Sequence, residues 1–130
     1  MKTLTVGIAA AALVGLASFA QAGQLLSPPL PTNSRINIAH VAACWVFNSG
    51  TTSVTPQVSL FSNNEMSADF DTCSGKPLAG GHTCIVSGRT PDDSYVACKV
   101  TASSVSKLRG SLEIREDTNA YKVLVGVELQ

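Results

Sequence analysis

The sequence predicts an all-β fold, an antiparallel sandwich of seven or eight short strands stapled by two disulfides. Several segments alternate apolar and polar side chains with the two-residue period of a half-buried strand. Turn-forming residues separate these segments at intervals of about 8–12 residues, which is typical of sandwiches. Past residue 22, no window of a dozen residues carries the apolar stripe of an amphipathic helix.

Residues 1–22 have the features of a secretory signal peptide. Met1-Lys2 supplies a positive start, an apolar run follows from Leu4 to Ala17, and Ala20 and Ala22 fit the small-residue rule for cleavage before Gly23. The apolar run is shorter than the roughly 20 residues that cross a bilayer. We therefore expect a secreted or periplasmic protein with no membrane span after processing.

Residues 23–34 are predicted to form a Pro-rich N-terminal arm, and residues 35–130 the β-sandwich domain. Pro28, Pro29 and Pro31 favour extended backbone in the arm. The mature length is that of one domain, with a core that is adequate but not large.

Seven segments of the domain have the composition or alternation of strands. In chain order they are residues 36–47, 53–61, 68–73, 83–86, 95–101, 108–114 and 121–129. Pro56 cannot donate a ladder hydrogen bond, so it indicates an edge or the start of a strand. The alternation is cleanest at the end of the chain, where Tyr121, Val123, Val125, Val127 and Leu129 are expected to share one face.

The four cysteines predict two disulfides, because an even count in an exported chain is typical of a disulfide framework. Three pairings are possible from sequence alone. We favour Cys73–Cys84, since these residues flank a Gly-rich turn that a hairpin would close, which leaves Cys44–Cys98 to join an early strand to a late one.

Cys44 and Cys98, with Trp45 beside the first, resemble the inter-sheet bridge and core tryptophan of immunoglobulin-like sandwiches. In that family the tryptophan lies on the strand after the first cysteine, whereas here it is adjacent to it. The resemblance implies two packed sheets with the bridge between them. The chain is also similar to small exported bacterial proteins with two disulfides and a β-rich body, a group that implies no particular activity.

The charge balance argues against a nucleic-acid partner. Residues 23–130 contain eight Lys or Arg and nine Asp or Glu, a net charge near −1. Binding to a polyanion requires a basic surplus. We expect no nucleic-acid partner and no cofactor.

No catalytic constellation is present in the sequence, so we expect a protein that is not an enzyme. His40 and His82 are the only imidazole bases, and the Gly-x-Ser-x-Gly motif is absent. A site of two Cys and two His could bind zinc, but export favours disulfides over thiolates. The acidic pairs at 69–71 and 92–93 lack the spacing of a calcium loop, and we predict solvated charge there rather than a metal site.

Two functional hypotheses from different classes follow. The first is a non-enzymatic binding or structural module whose partner is an unknown protein or glycan at the cell envelope, contacted through loops 62–67 and 87–94. The second is a surface-fibre subunit whose Pro-rich arm adds as a strand to a neighbour. A metal-binding envelope protein is the remaining alternative.

Overall fold

The computed structural model describes residues 23–32, 39–118 and 122–130, so the predicted signal peptide lies outside the described residues. These residues form ten strands: β1 (Gly23–Leu26), β2 (Leu30–Thr32), β3 (His40–Asn48), β4 (Gln57–Ser62), β5 (Asn64–Glu65), β6 (Phe70–Asp71), β7 (Thr83–Arg89), β8 (Ser94–Ala102), β9 (Leu108–Glu116) and β10 (Val123–Glu128). No helix capable of crossing a bilayer occurs among them.

The strands form two antiparallel sheets. The first has the order β1-β8-β4-β5, with β2 also paired to β8, and the second has the order β10-β9-β3-β7-β6. The predicted all-β sandwich with two disulfides is confirmed. Three of the ten elements are only two or three residues long. Among them is β6, which is all that forms of the strand predicted at 68–73, whereas β1 lies in the segment predicted as an arm.

Alternating side chains of both sheets fill the space between them. On β3 the inward residues are Ala42, Cys44 and Val46, and on β8 they are Val96, Cys98 and Val100. The core is completed by further fully buried aliphatic side chains from β4, β7 and β9: Leu60, Val86, Leu108, Leu112 and Ile114. Burying these faces is the main favourable term in the folding of the domain.

Both predicted disulfides are present. Cys44–Cys98 joins β3 to β8, and so links the two sheets through the core, with 6.1 Å between the Cα atoms. Cys73–Cys84 ties the chain after β6 to β7, with 5.1 Å between the Cα atoms. The loop closed by Cys73–Cys84 lies within the longer loop closed by Cys44–Cys98.

The segment predicted as an N-terminal arm is extended and belongs to the first sheet. Its strands β1 and β2 pair with opposite ends of β8. Between them, the N–H of Ser27 donates to the carbonyl of Cys98 at 2.9 Å, and the Ser27 hydroxyl accepts from the Cys98 N–H at 2.8 Å. The serine hydroxyl thus replaces a ladder acceptor where Pro28 and Pro29 prevent regular pairing.

The polar loop predicted at 87–94 is shorter than expected. β7 continues to Arg89 and β8 begins at Ser94, which leaves a turn of four residues. Ser87 lies opposite Ala43 on the outer face, whereas Gly88 is buried. The polar composition at the start of this predicted loop therefore reflects the end of β7, a strand with one solvent-exposed face.

The clean alternation predicted for the last strand is wrong at its beginning. A register shift between Val123 and Val125 breaks the pairing with β9. Val123 is 47% exposed as a result, while Val125 and Val127 pack against the core. Bulges of this kind occur at sheet edges, and β10 is an edge strand.

The central strands correspond to an immunoglobulin arrangement, and the outer ones depart from it. In that fold the strands named B and E share one sheet and C and F share the other, with the bridge between B and F. Here β3 and β7 share one sheet, β4 and β8 share the other, and the bridge joins β3 to β8. The first strand and the strand after β8 lie in the opposite sheet from their counterparts in the immunoglobulin arrangement, since β1 pairs with β8 and β9 pairs with β3.

Asn48, the last residue of β3, organises one end of the sandwich. It is fully buried, and its side-chain Nδ2 donates to the carbonyls of Thr52 at 2.8 Å and Leu78 at 2.9 Å. Its Oδ1 accepts from the N–H of Gly50 at 3.0 Å. One side chain therefore connects two turns that are remote in sequence.

Candidate functional site

The most distinctive surface is the outer face of the second sheet. Because side chains alternate along β3, Trp45 and Phe47 point away from the core that Cys44 and Val46 fill. Phe47 is 39% exposed. This places two aromatic residues side by side in a central strand, on the side that faces solvent.

A groove of about 310 Å³ lies beside these rings. We call it the Trp45 groove, and it is lined by Trp45, Phe47, Arg109, Gly110, Ser111, Glu128 and Leu129. Its residues come from β3, β9 and the end of β10, three segments far apart in the chain.

The groove lies where β10 ends, because Glu128 pairs with Ser111 and the first residues of β9, 108–110, have no partner in β10. Leu129 turns inward and is buried, and its N–H donates to the carbonyl of Gly110 at 2.9 Å. A Cβ on Gly110 would lie 2.9 Å from Leu129 Cδ2 and 3.1 Å from the Trp45 carbonyl. Gly110 has the same parity as the core-facing Leu108 and Leu112 on β9, so this Cβ would lie on the core side of the sheet, where the glycine leaves room for Leu129.

Trp45 is held in place by two charged neighbours on β9. Its indole Nε1 donates to Glu113 Oε2 at 3.2 Å, and the Arg115 guanidinium lies 5.3 Å from the ring centroid. Arg115 Nε also donates to Glu113 Oε2 at 2.9 Å, within an ion pair of these two residues. The cation–π contact with Arg115 and the hydrogen bond to Glu113 therefore hold the indole ring of Trp45 in one orientation.

Arg109 and Glu128 are the charged residues that line the Trp45 groove. Arg109 Nη1 donates to the backbone carbonyls of Ser106 at 3.2 Å and Leu108 at 2.7 Å. Within the described part of the chain, neither Arg109 nor Glu128 forms an ion pair. The groove therefore contains one positively charged donor, Arg109, and one negatively charged acceptor, Glu128, and the net charge of its lining is zero.

A second depression, of about 370 Å³, lies on the same face near the start of β3. It is lined by Val41, Asp69, Ser87, Arg89 and Asp117. Its charged side chains already have partners within the protein, since Arg89 Nη2 lies 3.3 Å from Asp117 Oδ2 and the backbone N–H of Arg89 donates to Asp69 Oδ2 at 2.9 Å. It has no aromatic lining, and we assign it no ligand.

The two histidines do not come together. His40 is buried at the start of β3, whereas His82 is exposed beside the end of that strand, where its carbonyl accepts from the Asn48 N–H at 3.0 Å. Eight residues of extended strand separate the two ends by about 26 Å. All four cysteines are in disulfides, so the Cys–His zinc site considered from sequence is not assembled.

Of the acidic residues considered for calcium, Asp69 and Asp71 have structural partners. Asp71 Oδ1 accepts from the N–H groups of Cys73 at 2.7 Å and Ser74 at 2.9 Å, and so caps the turn before the shorter disulfide loop. Partial burial acts to raise the pKa of Asp71, but these hydrogen bonds and nearby Lys76 outweigh it and leave the pKa below its usual value. Across the described ranges, no group of three or more His, Cys, Asp or Glu is placed to hold a metal ion.

Loops 62–67 and 87–94, which are predicted to carry contacts, are held by hydrogen bonds to neighbouring strands. Thr32 Oγ1 donates to the carbonyl of Pro91 at 2.9 Å, and the Asp93 N–H donates to the Thr32 carbonyl at 3.2 Å. In the other loop, the Met66 N–H donates to the carbonyl of Leu60 at 2.8 Å. Whether these loops bind a partner stays a prediction.

The sequence prediction missed the Trp45 groove. The apolar run 36–47 has no clear two-residue alternation, so it does not by itself indicate that Trp45 and Phe47 point outward. The available signal was parity: both residues are an odd number of positions from Cys44, which had to face the core to form its bridge.

Comparisons with protein-family models, with curated proteins and with solved structures found no match to this chain.

Proposed function

We propose that this chain is an exported, non-enzymatic binding module whose contact surface is the Trp45 groove. The observation that carries the proposal is a tryptophan fixed by Glu113 and Arg115 at a solvent-facing groove, on a scaffold stapled by two disulfides. Rigid aromatic side chains supply contact area at a small cost in conformational entropy, and they dominate many recognition surfaces.

Export is supported by the signal-peptide features of residues 1–22 and by the two disulfides, which are compatible with an oxidising compartment. In such a compartment, at the cell envelope or outside the cell, the partner would be a protein or a glycan.

A binding role fits the groove better than catalysis. Its lining contains Ser111 and Glu128 but no histidine, lysine or thiol. A serine nucleophile needs a positioned general base, and no imidazole is within the lining to provide one.

Binding to fractionated envelope extracts tests the proposal. Trp45→Ala is expected to abolish capture of the partner, while Tyr95→Ala leaves it unchanged, since Tyr95 is 65% exposed on the other sheet and makes a matched aromatic control. A Trp45→Ala protein that melts like wild type and still captures the same partner contradicts the proposal. Variants with loops 62–67 and 87–94 exchanged test the loop hypothesis in the same assay.

A surface-fibre subunit is a second candidate, favoured by the position of the N-terminal segment. Residues 23–32 lie along one side of β8, with Leu30 and Thr32 buried in the core. A segment of this kind can pair instead with the same strand of a second copy, which is the exchange that builds strand-complemented fibres.

Removing residues 23–34 tests the fibre proposal. The truncated chain is expected to bind a synthetic peptide of residues 23–34, and concentrated full-length protein is expected to elute partly as oligomers in size-exclusion chromatography. Monomers with and without the segment, together with no peptide binding, refute strand exchange.

A further inference from the structure

The size of the Trp45 groove restricts its ligand. At about 310 Å³, it is at the lower end of small-molecule sites, and its seven lining residues are far fewer than the roughly 20–30 that each partner contributes to a stable protein complex. The Glu113–Arg115 ion pair lies on the same face beside Trp45, whereas the cores of protein interfaces are depleted in charge. A compact ligand fits these features better than a flat protein surface does.

The lining restricts the chemistry of that ligand. Trp45 and Phe47 present apolar rings, Arg109 presents only donors, and the Glu128 carboxylate presents only acceptors. Ser111 lies directly opposite Glu128 in the strand pairing and adds a hydroxyl that both donates and accepts. A ligand must therefore combine an apolar face with several groups that donate and accept.

The charges favour a ligand with no net charge over an anion or a cation. Arg109 and Glu128 cancel, so a carboxylate or an ammonium group would gain one attraction and suffer one repulsion. A hydroxyl group can accept from the guanidinium and donate to the carboxylate in charge-assisted hydrogen bonds. A sugar ring has such hydroxyls along its edge, and its C–H groups, which carry partial positive charge, suit the negative face of an aromatic ring.

We infer that the Trp45 groove binds one ring of an uncharged saccharide, stacked on Trp45 and Phe47, with hydroxyls hydrogen-bonded to Arg109 and Glu128. This inference rests on the proposed binding function and names its ligand class. The ring of Trp45 needs no rearrangement, since Glu113 and Arg115 already hold it.

Trp45 is the only tryptophan in the chain, so its fluorescence reports this groove alone. The mature protein is screened on an array of neutral and acidic glycans. The best neutral binder is then titrated while Trp45 emission is recorded. A saturable spectral change with a neutral glycan is the expected result.

Variants that leave the core intact identify the groove. Phe47→Ala and Glu128→Gln remove a partly exposed ring and a charged acceptor, and each is expected to weaken affinity about tenfold or more. Tyr95→Ala, on the other sheet and outside both candidate contact loops, is the control and is expected to bind like wild type.

Three results overturn the inference: no neutral glycan bound above background, binding of acidic glycans only, or glycan affinity that Phe47→Ala and Glu128→Gln leave unchanged. If neutral glycans fail while Trp45→Ala still abolishes capture of an envelope protein, the saccharide inference falls and the binding function stands. If neither glycan nor extract binds, both fall.

Discussion

Replacing the inter-sheet bridge by the pair Cys44→Ala and Cys98→Ala is expected to destabilise the fold more than replacing the other bridge. The sequence separation is 54 residues for Cys44–Cys98 and 11 for Cys73–Cys84. Loop-closure entropy lost by the unfolded chain then corresponds to about 4 kcal/mol for the first bridge and about 3 kcal/mol for the second.

Packing adds to the cost of either replacement. All four cysteines are buried, so losing both sulfur atoms of Cys44–Cys98 also leaves a cavity in the core, at a further cost of about 1 kcal/mol, and the expected difference between the two bridges comes from the length of the loops. The total of about 5 kcal/mol is comparable with the whole stability of a marginal domain of this size. The Cys44/Cys98 variant is therefore expected to be largely unfolded or close to it at 37 °C.

Urea unfolding followed by far-UV circular dichroism measures both effects. Wild type, Cys44→Ala/Cys98→Ala and Cys73→Ala/Cys84→Ala are compared at one pH, with intact mass used to verify that the remaining bridge has formed. The reasoning is refuted if the 73–84 pair costs as much free energy as the 44–98 pair. It is also refuted if either variant unfolds within about 0.5 kcal/mol of wild type.

Three further substitutions test other parts of the structure. Asn48→Asp removes both donors to the carbonyls of Thr52 and Leu78, and is expected to cost about 3 kcal/mol or more in urea unfolding; a loss under about 1 kcal/mol would contradict the role given to this side chain. Asp71→Asn tests the lowered pKa of Asp71, whose stabilisation is present above about pH 4 and is lost as the pH falls through the folded-state value. The deficit of this variant, about 1 kcal/mol or less at pH 7, should shrink as the pH falls below about 4, and a deficit that keeps its size in acid would disprove the cause assigned here. Leu112→Ala, at a fully buried site on β9, should cost about 2–5 kcal/mol by the same assay, and a near-neutral result would mean that this part of the core is not tightly packed.

The features that local sequence predicted are those with local causes. Alternation placed Val96, Cys98 and Val100 on the buried face of β8, because the period of two is a property of the strand itself. The shorter disulfide was predicted because its cysteines flank a Gly-rich turn. Pro56 directly precedes β4, as its missing N–H indicates.

The features that local sequence did not predict depend on distant partners. Nothing in residues 23–32 shows that they pair with β8, and nothing near Leu108 shows that β9 joins β3 rather than β8. The bulge at Val123 likewise depends on how β10 meets β9. Strand pairing is decided by the packing of both sheets together, which no window of sequence contains.

The candidate site was unpredictable for the same reason. Its lining gathers β3, β9 and the end of β10, so no motif of fixed spacing exists to be found. Only the outward orientation of Trp45 and Phe47 was available from the sequence.

The placement of β1 affects how the protein reaches its native state. Gly23 pairs with Ala102, and Leu26 exchanges hydrogen bonds of 2.8 and 3.0 Å with Gln130. Most of the chain must be made before either pairing can form, and folds dominated by such distant pairings acquire their structure in milliseconds to seconds. During that interval the four thiols can combine in any of three ways, so the yield of correctly bridged protein depends on how quickly wrong bridges are exchanged.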